Sequence, residues 1–530
     1  LKEPLPVRPS DTALERLNAL GELTQIAEKL DLTDTLDDVL GGIPAMHISV
    51  VVQIHTGTTT ESPVHPMEAG MVLFSYFNDA IRDAINAPAP SSVSKDAWLF
   101  ESEQHTRPIY NGRPASLRGP PIAIYHSAFA QLKDDLQRLD QLNDPREQRR
   151  VESTAQLYAS LTKINPSEYD RRETVSHLAR LLEVEVGFEF EVYAMNNVVE
   201  IEAFHELNYE GKVAVVAQVE VKNEVGWSGN SAIQNVLSLR KRLAGDQCNE
   251  IRKGTCCPCI TICIAGPYIS FGGAVFADIV IAEAFTDYIF LGGTREQILK
   301  TSRMFVAVAR AIGSLRDYYG SLRLSSSRPG VRRLLPEPTY LPGLAPDNEL
   351  VLTGRYEYEG RVPDNYCRAL FQGTYNGTEV LVKFCETYHG QAHRLLAQAG
   401  RAPHLYFCER ICGGAMMVIM ELVKGRDARH YFSLNMPEEV MDDVRSAVDL
   451  LHENNLVFGD LRRSNIIIKE TEDKKLWAML IDFDWVGEAG KARYPPFLND
   501  SGAIFWAQGV VGHGLMEKQH DLEMIRSLNP

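Results

Sequence analysis

Five short motifs, in a fixed order along the C-terminal part of the chain, constrain its fold more than any other feature. GTEVLVKF is an apolar strand with Lys383 near its end, and MVIMELVKG is a second apolar run. LVFGDLRRSNIII places Asp460 and Asn465 five residues apart, and LIDFDW adds Asp482 after another apolar run. QHDLEMI contains Asp521. The Asp and Asn side chains of these motifs carry oxygens of the kind that Mg²⁺ prefers as ligands.

The order and spacing of these motifs resemble those of protein kinases. That resemblance implies that Asp460 orients the acceptor hydroxyl, whereas Asn465 and Asp482 hold Mg²⁺. Lys383 matches the lysine that pairs with the ATP phosphates, and Asp521 matches the helix Asp that braces the catalytic loop. The resemblance therefore predicts ATP and Mg²⁺ (or Mn²⁺) as cofactors.

Two further positions extend the match. The run MVIMELVKG resembles a kinase hinge around Glu421 to Val423, where adenine would exchange hydrogen bonds with the backbone. Arg462 stands where many kinases have Lys or Arg. Glu421, Val423 and Arg462 are therefore predicted to contribute to nucleotide binding.

Several positions depart from the kinase pattern. Phe458 and Gly459 stand at the usual His and Arg of the catalytic loop, and PDNYCRA, which aligns with the glycine-rich loop, has no glycine. The helix glutamate that should pair with Lys383 is replaced by Gln391, and Glu386 could substitute only if the helix begins early. Close backbone cover of phosphates favours glycine. An inactive pseudokinase therefore stays open beside an atypical Ser/Thr protein kinase.

A second constraint comes from the strand KVAVVAQVEVK, which ends in Glu220-x-Lys222. Side chains alternate along a strand, so both residues project to one face. The pair is either a surface ion pair of little energy or half of a Mg²⁺-dependent hydrolytic site, in which Glu220 binds the metal and Lys222 positions the attacking water. Because Lys222 ends the strand, we expect its truncation to remove little core packing.

The surrounding elements are typical of the PD-(D/E)XK nuclease fold. NYEG predicts a hairpin turn before the strand, Ser231 to Leu243 is predicted as a helix, and CITICIAG as a further strand. Gln234, twelve residues beyond Lys222, would lie on that helix and orient the lysine. Catalytic roles in this interpretation fall to Glu220, Lys222 and Gln234.

The remaining acids of such a site are less defined. The fold normally supplies an Asp on the preceding strand, but the sequence has no Asp between Arg171 and Gly245. Glu200 is the first candidate replacement and Glu202 the second, with an exposed strand face as the alternative. Glu168, with Glu173 second, is either a metal ligand or an acid favoured by the positive end of a helix.

Charge limits how the chain could meet nucleic acid. The 530 residues carry a net charge of −16, so the overall field does not attract DNA. Residues 294–338 are locally basic, with nine Lys or Arg against three Asp or Glu, a net of +6. We favour a solvated linker for this stretch, with a DNA contact through Arg328, Arg332 and Arg333 as the alternative.

Cysteine content and hydropathy exclude other classes. Nine cysteines in a chain of this length are not a disulfide framework, which favours a reducing compartment. TCCPCITIC is expected to hold buried thiols rather than zinc, because no second ligand pair lies nearby. No apolar run reaches membrane-spanning length. No secretory signal precedes Leu1, and the chain begins without Met.

Over nearly its full length the chain resembles fungal Crinkler-type effectors that join a PD-(D/E)XK nuclease-like module to a kinase-like module. DLTDTLDDVLGGIPAMHISVVVQ is similar to the end of the ubiquitin-like Crinkler header, without its first strands. The predicted fold is α+β and multidomain. The predicted order is a partial header at 1–55, a linker region at 56–121, a nuclease-like domain at 122–332, a Pro-rich linker at 333–347, and a separate minimal kinase-like domain at 348–530.

The resemblance implies a secreted effector that acts in the nucleus, with the cytoplasm as the alternative. We expect a Mg²⁺-dependent DNA nuclease whose ATP-binding kinase-like domain regulates it or phosphorylates protein. The alternative is an atypical protein kinase, or an ATP-gated binding module, whose nuclease fold is inactive. Expected partners are DNA through the basic stretch alone, ATP and protein substrates; the oligomeric state is not predicted.

Overall fold

The computed structural model of the chain divides into two compact units, Leu1–His65 and Pro66–Pro530. The described residues all belong to the second unit, so the expected header at 1–55 lies outside them. They are residues 78–142, 146–164, 177–178, 181–182, 203–209, 212–226, 229–277, 279–291, 293–322, 331–337, 349–356, 369–470, 473–499 and 504–529.

Helices occupy the described part of the stretch that we expected to be a linker region. Residues 78–86 are helical, and the helices that follow, up to the first sheet, are α1 Pro90–Lys95, α2 Ala97–Thr106, α3 Ser127–Gln137 and α4 Glu147–Leu161. Asp96 caps α2 by accepting hydrogen bonds from the backbone of Trp98 and Leu99. Glu103 on this helix is buried and lies 3.3 Å from Arg240. Residues 78–121 therefore pack on the middle domain.

The middle domain is built on a mixed sheet in the order β1-β2-β3-β4-β5, with β6 paired to β4. Strands β1 and β2 form the predicted hairpin, and β2 runs parallel to β3. A parallel pair needs a crossover, which here includes α5 and α6. The elements are β1 Ala203–Tyr209, β2 Lys212–Lys222, α5 Ser231–Ala244, α6 Asn249–Gly254, β3 Cys259–Ala265, β4 Tyr268–Phe276, β5 Val280–Ala284 and β6 Ile289–Phe290.

The two faces of this sheet meet different helices. Gln218 on β2 donates to Oδ1 of Asn235 on α5 at 2.9 Å, so the even-numbered residues of β2 face α5. Phe271 on β4 packs edge-on against Phe305 of helix α7, Arg295–Ser321, with ring centroids 5.5 Å apart. Glu220 and Lys222 therefore lie in the layer between β2 and α5.

Residues 295–321 of the basic stretch form a core helix rather than a solvated linker. Thr294 caps α7 in a capping box with Gln297, and twelve residues of the helix are buried. Arg303 lies 2.7 Å from Asp140 and 3.2 Å from Glu147. Arg310 lies 3.9 Å from Asp135. Arg303 and Arg310 therefore pair with acids on other helices and turns of the same domain.

The start of the expected Pro-rich linker also packs into this domain. Arg333 is 9% exposed and donates to the backbone oxygen of Arg252. Leu334 and Leu335 are buried. Arg333 is therefore a structural residue, which removes it from the expected DNA contact; Arg328 lies outside the described residues.

The TCCPCITIC cysteines are buried thiols, as predicted. Cys257 is fully buried, and burial raises the pKa of its thiol to about 11. Cys263 faces α5, where Asn235 lies 3.5 Å from its Sγ. Such thiols stay protonated and act as small apolar side chains.

A second, antiparallel sheet begins the kinase-like part. Its order is β10-β11-β9-β8-β7, with a helix inserted between β9 and β10. All neighbouring strands of this sheet are antiparallel. Lys383 on β9 lies beside Val418 on β11. The elements are β7 Leu350–Arg355, β8 Leu370–Tyr375, β9 Thr378–Cys385, α8 Gly390–Gln398, β10 Leu405–Arg410 and β11 Met416–Glu421.

This sheet shares a hydrophobic core with the middle domain, which corrects the expected separation at 348. One face of it belongs to the same buried cluster as the first sheet, through Phe371, Val380, Val382, Phe384, Met417 and Ile419. Register places Val382 beside both Phe371 and Ile419, so these side chains share one face. The kinase-like part is therefore packed onto the middle domain.

The turn between β10 and β11 packs directly against α3 of the middle domain. The backbone N–H of Gly413 and the thiol of Cys412 both donate to the carboxylate of Asp134 on α3, each at 3.1 Å. Gly413 has φ +84°, and a Cβ there would lie 2.8 Å from Ala123 and 3.0 Å from Ala130. Only glycine fits this turn against α3.

The remaining elements lie below the second sheet. They form a three-stranded sheet in the order β12-β14-β15 and a two-stranded pair of β13 with β16. Their bounds are β12 Arg426–Asp427, α9 Ala428–Tyr431, α10 Glu438–Glu453, β13 Leu456–Val457, β14 Ile466–Glu470, β15 Leu476–Leu480, β16 Gly487–Glu488 and α11 Lys518–Leu528. No helix in the described part of the chain is long and apolar enough to cross a membrane.

Candidate functional site

The loop between β13 and β14 holds Asp460 in a fixed orientation. Asn465 Nδ2 donates to the backbone oxygen and to Oδ2 of Asp460, each at 2.8 Å. Arg462 Nη2 lies 3.0 Å from the same Oδ2. Oδ1 is buried and has no hydrogen-bond partner among the described residues. The loop thus presents one engaged and one unengaged carboxylate oxygen.

Burial tunes the acidity of Asp460. Its side chain is 8% exposed. Burial raises the pKa of its carboxyl to about 6 from 3.8; Arg462 opposes this rise, and Asp482 adds to it. A carboxylate whose pKa lies near neutrality is suited to accept a proton.

Asp521 braces the loop, as the sequence predicted. It is fully buried and accepts hydrogen bonds from the backbone N–H of Phe458 at 2.7 Å and of Gly459 at 2.9 Å. Gly459 has φ +82°, and a Cβ there would meet Met516 at 2.2 Å. Phe458, in place of the usual His, is buried and packs edge-on against Phe483 at 5.7 Å. Both departures from the kinase pattern therefore fit the local packing.

Lys383 lies between two carboxylates. Its Nζ is 2.6 Å from Oδ1 of Asp482 and 2.6 Å from Oδ1 of Asp484. Burial acts to lower the pKa of Lys383, but the charges of Asp482 and Asp484 outweigh it and hold that pKa above its usual value. Burial and the Asp482 charge raise the pKa of Asp484. The lysine remains charged in this site.

The Asp-Phe-Asp segment is pinned at several points. Phe483 stacks on His393 of α8 with ring centroids 4.5 Å apart and planes 4° apart. The N–H of His389 donates to the backbone oxygen of Phe483 at 3.0 Å, and Thr387 Oγ1 to that of Asp484 at 3.0 Å. Asp482 has φ +73°, which is uncommon outside glycine and recurs at functional sites.

Helix α8 supplies no carboxylate to Lys383. Its sequence, GQAHRLLAQ, contains no acid, and Gln391 is exposed. His393 is buried between the Tyr388 hydroxyl and the backbone oxygen of Pro403, each 2.8 Å away. Glu386 pairs instead with Arg118, in the segment 78–121 that packs on the middle domain, at 2.6 Å. The substitution of Glu386 that we considered is therefore wrong in this structure.

The expected hinge follows β11. The side chain of Glu421 accepts a hydrogen bond from the backbone of His404 at 3.2 Å and lies 3.9 Å from Lys469. It therefore stabilises the strand end, and a hinge role falls to the backbone of Glu421 to Val423. Val423 is half-buried. Most of PDNYCRA lies outside the described residues.

A cavity of about 1020 Å³ adjoins the lysine. Both parts of the unit line it, including Lys383, Asp482 and Asp484 on one side and Arg118, Lys133 and Glu283 on the other. Lys133 lies 2.6 Å from Glu283, so charges on the middle-domain wall are paired. The cavity is large enough for a nucleotide-sized ligand.

The residues present fit Mg·ATP. Mg²⁺ binds through one or two protein oxygens and the substrate phosphates, so a complete protein cage is not expected. Asp482 and Asn465 provide such oxygens, and Lys383 provides a cation for phosphate. In the described ranges no group of three His, Cys, Asp or Glu side chains is arranged to hold a metal by itself.

The middle-domain pair is buried, so its interpretation as a surface ion pair is wrong. Lys222 Nζ lies 3.2 Å from Glu220 Oε1, and the side chains are 2% and 0% exposed. The expectation that truncating Lys222 removes little packing is also wrong. Gln234 on α5 is fully buried and accepts a hydrogen bond from Ser94 Oγ at 2.9 Å. This contact joins α5 to α1, and the role of Gln234 in orienting Lys222 stays a prediction.

The other predicted nuclease acids, Glu168 and Glu200, lie outside the described residues, as do Glu173 and Glu202.

Two residues of these sites were not predicted from the sequence. Ser94 on α1 is 140 residues from Gln234, and nothing in the sequence links them. Asp484 had a local signal, because it is the second acid of LIDFDW.

Comparison with known proteins supports a protein-kinase-like module. No family model matches the sequence. A stretch of 91 residues is 28% identical to the EKC/KEOPS complex subunit bud32 of Dictyostelium discoideum, and it covers 16% of this chain and 34% of that protein. The Cydia pomonella granulovirus kinase PK-1 is similar at 17% identity with a TM-score of 0.25, over 29% of this chain and 60% of that chain.

These findings favour the kinase expectation over the nuclease expectation. The bud32 match supports a kinase-like module within an α+β chain. The comparisons do not support the nuclease, the Crinkler resemblance or DNA binding. Of the two functions that we weighed, the atypical kinase is thus better supported than the nuclease.

Proposed function

We propose that this protein is an atypical protein kinase, which transfers phosphate from ATP to a hydroxyl group. One observation carries the proposal: Lys383 meets Asp482 at 2.6 Å, and Asn465 holds Asp460 at 2.8 Å, within one braced site. The lysine, two aspartates and asparagine are the groups that phosphoryl transfer by kinases employs.

Each residue of the site has a separate role in the proposed transfer. Asn465 and Arg462 hold Oδ2 of Asp460, so Oδ1 receives the proton as the acceptor oxygen bonds to phosphorus and ADP departs. Lys383 would contact phosphate oxygens of bound ATP, and Asp482 and Asn465 would hold Mg²⁺. Mg·ATP supplies the phosphoryl group and the charge neutralisation that the transfer needs.

Nucleotide binding tests this proposal first. Calorimetric titration of the full chain with ATP should show binding with Mg²⁺ and weaker binding with EDTA. Asp482→Asn should lose the Mg²⁺-dependent part, whereas Asp473→Asn, an exposed acid, should keep it. Wild-type protein that binds no ATP at millimolar concentration would sink the proposal.

Phosphate transfer is the second test. Radiolabel from the γ-phosphate of ATP should appear on a mixture of protein acceptors or on the chain itself, and Asp460→Asn should lower the rate of labelling by roughly 10²–10⁴-fold. Binding without transfer would favour the alternative, an ATP-gated binding module.

A second candidate function is a Mg²⁺-dependent nuclease, as part of a Crinkler-type effector. The buried Glu220–Lys222 pair, on a hairpin followed by a helix and a parallel strand, is the observation that favours it. DNA cleavage that requires Mg²⁺ and is lost in Glu220→Gln would support it. Equal cleavage by the variant and wild type would remove it.

The nuclear location is proposed from the Crinkler resemblance alone. A fluorescent fusion imaged in host cells would test it, and a signal confined to the cytoplasm would overturn it.

A further inference from the structure

Lys383 has an anionic partner at a position where the kinase pattern provides none. Asp484 stands where that pattern has glycine, and its Oδ1 is 2.6 Å from Lys383 Nζ, as close as that of Asp482. Helix α8, from which the pattern takes the partner carboxylate, has no acid in GQAHRLLAQ.

We propose that Asp484 replaces the missing helix carboxylate as the residue that positions Lys383 for the nucleotide phosphates. This role rests on the proposed kinase function. It makes Asp484 a positioning residue, because it acts through the lysine.

The surroundings fix Asp484 for this task. Thr387 Oγ1 donates to its backbone oxygen at 3.0 Å, and the preceding Phe483 is stacked on His393. The Tyr388 ring lies 5.6 Å from Lys383 Nζ, so the ammonium also meets an aromatic face. Asp484, Tyr388 and Asp482 together define where the lysine head group lies.

A second partner matters because Asp482 has two tasks. Asp482 would also hold Mg²⁺, and Lys383 would then keep Asp484 as a full anionic partner. Without Asp484, the lysine would compete with Mg²⁺ for Asp482. Removing Asp484 should therefore weaken Mg·nucleotide binding, and only while Lys383 is present.

A double-mutant cycle tests this role. Titration calorimetry with Mg·AMP-PNP is performed on the full-length wild type, Asp484→Asn, Lys383→Met and the double variant. Asp484→Asn should weaken binding about tenfold in the wild-type background, and less than about twofold in the Lys383→Met background, since coupled residues are not additive. Asp473→Asn is the matched control and should bind as the wild type does.

The outcomes separate the possibilities. An equal loss in both backgrounds would overturn the role, because it would make Asp484 a metal ligand or a general structural residue. No loss in Asp484→Asn would overturn this role alone. Wild-type protein without Mg·AMP-PNP binding would overturn the kinase function and this role with it.

A measurement without nucleotide guards against misfolded variants. Urea unfolding of the same four proteins should show that Lys383 and Asp484 are coupled in stability. Additive stability effects of the two substitutions would contradict the contact itself.

Discussion

At the scale of single residues, Asp460 shows how burial sets chemistry. Burial favours the neutral carboxyl and raises its pKa to about 6. The proton acceptor must be ionised, so it is active above that pH and protonated below it.

The expected consequence is a rate of phosphate transfer that rises with pH through about 6 and then levels. Initial rates measured at saturating ATP between about pH 5 and 8 would show it. Asp460→Asn should lower the rate by roughly 10²–10⁴-fold, the usual contribution of a positioned base, while Mg·AMP-PNP still binds. A profile flat through pH 6 would contradict the assignment of Asp460.

The Glu220–Lys222 pair predicts a loss of stability. Lys222→Met removes the cation 3.2 Å from a fully buried carboxylate, and breaking a buried pair from one side costs about 3–5 kcal/mol. Urea unfolding should detect this change. Lys253→Met, which removes an exposed ion pair with Glu250, is the control and should change stability by less than about 1 kcal/mol.

The double variant Glu220→Gln/Lys222→Met should recover most of the loss, because it removes both charges. If Lys222→Met is as stable as the wild type, the buried ion pair does not contribute to the stability of the protein.

At the scale of elements, the turn at Gly413 offers a matched comparison. Gly413 and Gly414 have φ +84° and +88°, so alanine strains the backbone at either. Only at Gly413 does a Cβ meet another element, 2.8 Å from Ala123, whereas at Gly414 nothing lies within 4 Å. The difference between the two variants therefore isolates the docking contact.

We expect Gly413→Ala to lower the free energy of unfolding by about 1–3 kcal/mol more than Gly414→Ala does, as overpacking in a core does. Chemical denaturation of the full chain measures both. Equal losses would show that the turn can move away from α3 without penalty.

Elements with local signals were predictable. The helix predicted at Ser231 to Leu243 is observed as Ser231–Ala244, and CITICIAG forms β3. Both carry patterns that the chain displays locally. The motif around Asp460 was equally predictable, because its polar residues lie within a few positions of one another in the sequence.

Elements whose interaction partners are distant in the sequence were not predictable. Arg303 of α7 donates hydrogen bonds to Asp140 and Glu147, which lie more than 150 residues earlier. From the local sequence alone, its charge therefore indicated a solvent-exposed position. Glu386 meets Arg118 across 268 residues for the same reason. A single sequence does not display which distant acid a base will meet.

At the scale of the whole molecule, the shared core predicts that residues 348–530 do not fold alone. Six large apolar side chains of the second sheet, Phe371, Val380, Val382, Phe384, Met417 and Ile419, would lose their cover. Exposing each costs about 1.5–3 kcal/mol, so the total, roughly 10 kcal/mol or more, rivals the net stability of a whole domain.

Expression of 348–530 and of 66–530 side by side would test this. The shorter chain should aggregate or expose surface to a hydrophobic dye, and the longer chain should be soluble and unfold cooperatively. A monomeric, cooperatively folded 348–530 would contradict the shared core.

The fit of Gly413 against Ala123 and Ala130 also bears on how such proteins diversify. A recombination event that replaced the kinase-like segment alone would bring in a sheet whose packing face does not fit the middle domain of this chain. Descent should therefore keep α3 and the turn together, and their substitutions should be correlated across related genes. Independent drift at these positions would mean that the two modules travel separately.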